Sequence, residues 1–380
     1  MNVVALAEVA EIIMGQAPPG DSYNTDGEGL PLIAGAGDFK EGRLTPSRFT
    51  TLSTKRSKFG DIVLSIRASI GDAVWSDGEY CLGRGVAALR GRPDVVNRSY
   101  LWHWLASAAE ALRSQGRGAT FLQVNRADIG EMPIPLPPLE EQRRIAAILD
   151  HADALRTKRR QVSAHLDALP QSLFRDMFGE PGSWATRWQT GTIGDLAESA
   201  QYGTSSPAGG AGEWPVLRMG NLTDDARLDL QDLKFMDLAP NDVPKYTLQR
   251  GDLLFNRTNS KEKVGKACVI HTDQKLAYAG YLVRVRFAES ATGDFVATYL
   301  TSTHGQAVRR RLAKAAVNQA NINAKEMQAI RIAHPPLALR QEFAEHLKFV
   351  RAQREQIQRV AAEDDELFAS LQARAFRGEV

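Results

Sequence analysis

The run Asn256-Arg257-Thr258-Asn259-Ser260-Lys261-Glu262-Lys263 leaves an apolar strand and carries side chains whose chemistry suits nucleic acid. Arginine matches the acceptor pair of guanine, Asn and Gln match adenine, and Lys or Arg neutralises phosphate. Ser65-Ile66-Arg67-Ala68-Ser69 occupies the corresponding place earlier in the chain, with Arg67 as its obvious donor. A second polar cluster also occurs twice, as Arg117-Gly118-Ala119-Thr120-Phe121-Leu122-Gln123-Val124-Asn125-Arg126 and as Ala316-Val317-Asn318-Gln319-Ala320-Asn321-Ile322-Asn323. Arg309-Arg310-Arg311 and Lys314 add positive charge just before the latter. The candidate contacts are Arg67, Arg117, Gln123, Arg126, Arg218, Asn221, Asn256, Arg257, Asn259, Lys261, Asn318 and Gln319. Taken singly, such segments are solvated loops with Asx turns. Recurrence of two clusters in two places raises the binding alternative to equal standing.

Catalytic signatures are missing. The chain has no GxxxxGK[ST] loop, no HExxH helix and no GxSxG elbow. It also lacks an N/D-P-P-Y/F element of the amino-methyltransferase kind. Gly83-Arg84-Gly85 has no third glycine in step and precedes a strand, which is a poor dinucleotide fingerprint. No metal site is expected, because His103, His151, His165, His271, His304, His334 and His346 have no His or Cys at ligand spacing. Asp252, Glu262 and Lys263 lack the E-x-K step of a nuclease cluster.

The elements that position these loops are themselves repeated. Pro137-Pro138-Leu139 recurs as Pro335-Pro336-Leu337, an offset of 198 (137 to 335). Val124-Asn125-Arg126-Ala127 and Ile322-Asn323-Ala324-Lys325 keep that offset, as do Ser172-Leu173 with Phe178 and Ser370-Leu371 with Phe376. A register held this long indicates an internal duplication. The fold class expected is therefore mixed α+β and pseudo-twofold: two modules of twisted sheet with short helices, separated by two long helices forming an antiparallel coiled coil. The boundaries are 1–131, a first spacer at 132–182, 183–332, and a second spacer at 333–380. Ile145, Ile148, Ala152, Leu155, Val162, Leu166, Leu169 and Leu173 form the seam of the first helix, interrupted by Arg159. Phe343, Leu347, Val350, Ile357, Ala361, Phe368, Leu371 and Ala375 form the second, interrupted by Arg354 and Asp364. Pro170 should kink or interrupt the first helix, and Gly179 with Pro181 should end it.

Gly60-Asp61 and Gly251-Asp252 each open a strand. A helix closes each module, capped by Asn97 or Ser99 in the first and by Asp294 in the second. Trp102, Trp104 and Tyr299 on these helices read as core, with base stacking the lesser option. Cys81 and Cys268 read as buried strand thiols. At 380 residues, 43% hydrophobic and 24% charged, with a net charge of +2, the chain is an ordinary globular protein of two or three domains. With neither an apolar span nor a basic leader, a cytoplasmic location is expected.

PLPPLEEQRRIAAIL at 135–149, GDLLFNRTNSKEKVGKA at 251–267 and the half-repeat layout resemble the specificity (S) subunits of type I restriction–modification systems. The resemblance spans essentially the whole chain. It implies a non-catalytic DNA-binding subunit in which each target-recognition domain reads half of an asymmetric bipartite sequence. The spacer helices would set the gap and dock two methyltransferase subunits, with restriction/translocase subunits joining them. Leu139, Glu140, Glu141 and Gln142, with Leu337 and Gln341, are the implied partner-binding positions. The second copy, Leu337-Ala338-Leu339-Arg340-Gln341, reads as carrying one extra residue and lacks both glutamates. The resemblance also implies no cofactor on this chain, with S-adenosylmethionine, ATP and Mg on the partner subunits. A helix of about thirty residues at ~1.5 Å each spans roughly 45 Å, comparable to the ~34 Å between successive major-groove faces. The rival readings are a non-catalytic coiled-coil scaffold and a stand-alone DNA-modifying enzyme.

Overall fold

In both halves of the chain, a strand that is buried at every position follows a Gly-Asp turn. Ile62–Ser65 and Leu253–Asn256 are buried throughout, because alternate side chains enter different cores. Ile62 and Leu64 face one apolar cluster while Val63 faces another. Leu253 and Phe255 likewise face one cluster and Leu254 another. The computed structural model describes residues 2–118, 121–316 and 319–379, a mixture of helix and sheet. It divides into Met1–Arg160 with Val360–Val380, called unit 1, and Gln161–Arg359, called unit 2.

In unit 1 the buried strand lies in a four-stranded antiparallel sheet ordered Ala10–Met14, Val86–Gly91, Ile62–Ser65, Ala73–Trp75. The unit 2 sheet has the same connectivity, ordered Ala197–Tyr202, Leu282–Phe287, Leu253–Asn256, Ala267–Val269. Gly60 and Gly251 have φ of 85° and 92°, a left-handed turn that glycine adopts without strain. The aspartate that follows is enclosed in each unit. Asp61 accepts from Arg90 at 2.9 and 2.8 Å, and Asp252 accepts from Arg286 at 2.8 and 3.4 Å. The Asp252 carboxylate is thus committed to a cross-strand arginine. Cys81 and Cys268 are buried strand residues.

The closing helix of unit 1, Arg98–Ser114, is capped by Asn97, whose side chain accepts from Ser99 N and Tyr100 N. Trp104 is core, whereas Trp102 is half-buried and stacks on Trp75 at 4.9 Å. In unit 2 the closing helix is Ser290–Thr301, so Asp294 lies inside it rather than capping it. Its carboxylate is buried and accepts from Arg351 at 3.0 Å, with His271 Nε2 3.1 Å away.

The long helices are Leu139–Phe178 and Leu337–Arg377. Where they meet within unit 1, Arg156 pairs with Asp365 at 2.6 Å and Arg159 with Asp364. Within unit 2, Arg354 meets Leu166 and Asp167, and Phe343 meets Phe174 at 5.8 Å. Residue numbers rise on one helix as they fall on the other, so the contacts are antiparallel. The second helix buries its expected seam at Phe343, Leu347, Val350 and Ala375. The first covers Ile145, Ala152 and Leu166 of its expected seam, but Leu155, Val162 and Leu169 remain 44%, 45% and 37% exposed. Its covered face steps instead through Ile145, Leu149, Ala152, Arg156, Arg159, Ser163 and Leu166 to Pro170. Charged side chains occupy the middle of that face, and their ion pairs rotate the helix away from its most apolar stripe.

Pro170 does not interrupt the helix. Proline has no N–H to donate to the carbonyl four residues earlier, that of Leu166. Arg354 Nη2 donates to that oxygen at 2.9 Å and takes the missing donor's place. Gly179, with φ 79°, follows the helix end. Among the described residues no helix is long and apolar enough to cross a membrane.

Candidate nucleic-acid interface

Beyond its buried strand, unit 1 folds the chain into a tight loop that takes up the second polar cluster. Val124 N donates to Ile66 O at 3.1 Å, and Ala68 N donates to Leu122 O at 3.1 Å. Arg67 bridges to Gln123, and Arg117 exchanges two backbone hydrogen bonds of 3.0 Å with Gln123. Three candidates separated by up to 56 positions (67 to 123) therefore share one small patch of sheet. Ala68, at φ 58°, holds a left-handed conformation that costs a non-glycine residue energy. Arg126 opens the next short helix, Arg126–Gly130, whose cap Asn125 accepts from Ala127 N and Asp128 N. Arg117 donates to Asp128 at 3.2 Å but stays largely exposed, as do Gln123 and Arg126. Phe121, 70% exposed, lies beside them.

Unit 2 builds the same junction as a three-stranded sheet of Thr258–Asn259, Gln319–Asn321 and Lys314–Ala316. Ile322 N donates to Arg257 O at 2.9 Å, the equivalent of the Val124–Ile66 bond. Thr258 opposes Asn321 as Arg67 opposes Gln123. The counterpart of Arg67 is therefore Thr258, and the counterpart of Arg257 is the core residue Ile66. Because strand side chains alternate, Arg67 and Arg257 occupy opposite faces of equivalent strands. Arg257, Asn259, Lys261 and Gln319 are gathered at this junction, the last two exposed. Asn318 lies outside the described residues.

An open cleft of about 1100 Å³ adjoins the junction in unit 2, lined by Arg218, Lys234, Arg257 and Tyr281 among others. Three candidates have internal partners there. Asn221 is buried, accepting from Arg218 N at 2.8 Å and donating to Asp229 O at 2.8 Å. Asn256 is fully buried and accepts from Thr258 N at 3.3 Å. Arg218 donates to Asp232 Oδ2 at 3.0 Å and forms part of the cleft wall. Arg309 adds no surface charge: it is buried, donates to Val264 O at 3.0 Å, and burial pulls its pKa down to about 10. Lys314 is exposed but paired with Glu326.

Tyr202 and Tyr281 were not legible as site residues, since each ends or follows a short strand without a motif. Tyr202 lies beneath the Arg257 guanidinium, 4.7 Å from ring centroid to Cζ.

At the starts of the long helices, Leu139 and Leu337 are half-buried, Glu140 and Gln341 are exposed, and Glu141 is paired with Arg144. Hydrogen bonding from Arg144 holds the Glu141 carboxyl below its ordinary range. Gln142 is enclosed: it accepts from Asn97 N at 2.8 Å and donates to Val95 O and Pro137 O at 3.1 and 2.8 Å. Its structural counterpart is Arg340, not Gln341. Gln142 N donates to Pro138 O as Arg340 N does to Pro336 O, so the second copy has no extra residue. Arg340 Nη1 donates to Thr292 Oγ1 at 2.5 Å, in the first turn of the unit 2 closing helix. Both side chains tie a long helix to the closing helix of its module.

Residues 1–164 match the type I restriction modification DNA specificity domain. The chain is 36% identical over 145 residues to the putative type I restriction enzyme MjaX specificity subunit of Methanocaldococcus jannaschii, covering 38% of this chain and 34% of that one. It is 24% identical over 314 residues to the type I restriction enzyme EcoKI specificity subunit of Escherichia coli K12, covering 76% and 67%. The chain thus spans about a third of the length of the first relative and two thirds of the second. A crystal structure of the type I restriction–modification S subunit from M. genitalium has a similar fold, with a TM-score of 0.61 at 12% identity over 99% of this chain and 96% of that one. A chain from a study of assembly and conformational transition in a type I system gives a TM-score of 0.61 at 17% identity, covering 100% of this chain and 98% of that one. The strand-to-hairpin junctions described above lie in a chain that is similar to type I restriction–modification specificity subunits and whose residues 1–164 match that family's DNA specificity domain.

Proposed function

We propose that this chain is the non-catalytic DNA-reading subunit of a type I complex, with module 1–131 reading one half of a bipartite target and module 183–332 the other. The observation that carries the reading is the shared junction. Each unit joins the end of its buried strand to a hairpin, and polar side chains separated in sequence meet there. Scaffold bonds recur between units while the polar side chains on them differ, Arg67 against Thr258 and Gln123 against Asn321. Differing side chains on one frame call for differing half-sites, hence an asymmetric target. The spacers 132–182 and 333–380 would set the gap and dock two methyltransferase subunits, restriction/translocase subunits joining these. S-adenosylmethionine, ATP and Mg would reside on the partners.

Selection of the full chain against a randomised duplex pool tests this. The expected result is enrichment of two short motifs at one fixed spacing, lengthened by residues inserted near Ala152 with the motifs unchanged. Enrichment of nothing would favour a scaffold, and methyl transfer by the purified chain alone would establish an enzyme.

A further inference from the structure

We propose that Arg257, held over the ring of Tyr202, reads a guanine in the half-site of unit 2, and that Tyr202 is its positioning residue. This rests on the DNA-reading function proposed above and names the base and the pair that selects it.

Tyr202 is fixed at both ends. Its backbone closes the strand Ala197–Tyr202 against Val283, and its hydroxyl accepts from Ala324 N at 3.0 Å. The Arg257 guanidinium carbon lies 4.7 Å over that ring, which restrains its donors before any ligand arrives. Arg257 is half-buried, its Nε is enclosed without a partner, and among the described residues its guanidinium donates to no acceptor. Arg284 in the same unit also stacks on a tyrosine, Tyr278 at 5.5 Å, but donates to Thr247 O and Gln201 Oε1 at 2.6 and 2.7 Å. The Nε of Arg284 is likewise unpartnered, but both of its terminal nitrogens donate within the unit, whereas those of Arg257 donate to no described residue.

A fixed guanidinium fork fits a planar pair of acceptors: guanine O6 and N7, a carboxylate, or a phosphate. The cleft into which Arg257 opens also carries Asp229 and Asp232. Asp232 is paired with Arg218, and Lys234 lines the same cleft, so charge alone does not select among these acceptors. A restrained fork is the geometry of arginine on guanine O6 and N7, and a neighbouring carboxylate accepts from cytosine N4, so arginine and aspartate in one cleft complement the edge of a G·C pair. Unit 1 has no equivalent reader. Ile66 stands in the register of Arg257, and Met14, opposite Ala87 as Tyr202 is opposite Val283, stands in that of Tyr202.

The test is selection from a randomised duplex pool by the full chain and by Arg257→Ala, Arg257→Lys, Tyr202→Phe and Tyr202→Leu. Wild type should enrich guanine at one position of one half-site. Arg257→Ala should lose roughly tenfold to a hundredfold of that preference, with the neighbouring positions of the same half-site unchanged as evidence of a folded unit. Arg257→Lys should keep affinity with a weakened guanine preference, Tyr202→Phe, which keeps the ring but loses the Ala324 tie, should weaken that preference less than Tyr202→Leu, and both Tyr202 variants should act at that position alone. An even loss of affinity over all sequences would make Arg257 a phosphate contact and overturn the assignment. So would an unchanged motif in Arg257→Ala, or a lost position that is not guanine. If the wild-type chain enriches no motif, the DNA-reading function falls as well, whereas wild-type enrichment that Arg257→Ala leaves intact removes only this assignment.

Discussion

Replacing Arg354 with methionine should expose how the first long helix tolerates a proline. Arg354 is 6% exposed, and its Nη2 is the donor that reaches the Leu166 carbonyl, at 2.9 Å. Its Nε lies 2.9 Å from Asp167 Oδ1, close in charge but misaligned for a hydrogen bond. Methionine keeps most of the apolar stem. The loss is then the orphaned carbonyl, ~1–3 kcal/mol, plus an ion pair whose aspartate is 43% exposed, ~0.5 kcal/mol. About 2–3 kcal/mol of local stability should disappear. In a Pro170→Ala background residue 170 regains an N–H that bonds Leu166 directly, so the same substitution should cost only the ion-pair part, ~0.5 kcal/mol. The cycle should show a coupling of about 1.5–2.5 kcal/mol. Amide hydrogen exchange over 161–178 in the full chain measures it without assuming that the whole chain unfolds in one step. Equal costs in both backgrounds, within ~0.5 kcal/mol, would refute the idea that arginine substitutes for the missing proline donor.

Gln142→Ala should destabilise unit 1 by about 2–4 kcal/mol, since three hydrogen bonds to enclosed partners are lost together. Gln341→Ala, an exposed change, should stay within ~0.5 kcal/mol, and thermal melting separates the two. Burial pushes the Cys268 thiol well above its ordinary range, and Cys81 is equally enclosed. A water-soluble thiol reagent should therefore label neither cysteine until the protein is denatured, and native-state labelling would reveal an unsuspected opening.

The legible features are those with a local physical cause. Gly60 and Gly251 announce a turn because φ near 90° excludes other residues, and the unbroken apolar strands after them announce two-sided burial. Asn97 is readable as a cap because its side chain needs only the next turn. The first helix seam misleads because apolarity and contact diverge there. Leu155 and Val162 are the more hydrophobic positions, but Arg156 and Arg159 find acidic partners more than two hundred residues later in sequence, at Asp365 and Asp364. Asn221 and Asn256 have the chemistry of readers, and nothing in their spacing shows that backbone groups consume it. Pairing the short Leu-Glu-Glu-Gln string with Leu-Ala-Leu-Arg-Gln by its glutamine inserts a residue that the helix does not have. Counting from Pro138 and Pro336 shows that Arg340 does the work of Gln142.

That substitution and the pair Ile66 and Arg257 make the same physical point in opposite directions. Gln142 and Arg340 differ in chemistry yet perform one task, because any long side chain with a donor can tie the helix start to the closing helix. Ile66 and Arg257 share one register yet do different things, because the residue beneath them has changed with them, from Met14 to Tyr202. An arginine at position 66, where Ile66 is 4% exposed, would be buried without a ring to stack on, and an isoleucine at 257 would leave the Tyr202 ring without its guanidinium. The two changes stabilise each other only when made together. A reader of one base can therefore arise on this frame without disturbing the buried strand that carries it, and the frame can stay constant while what it reads does not.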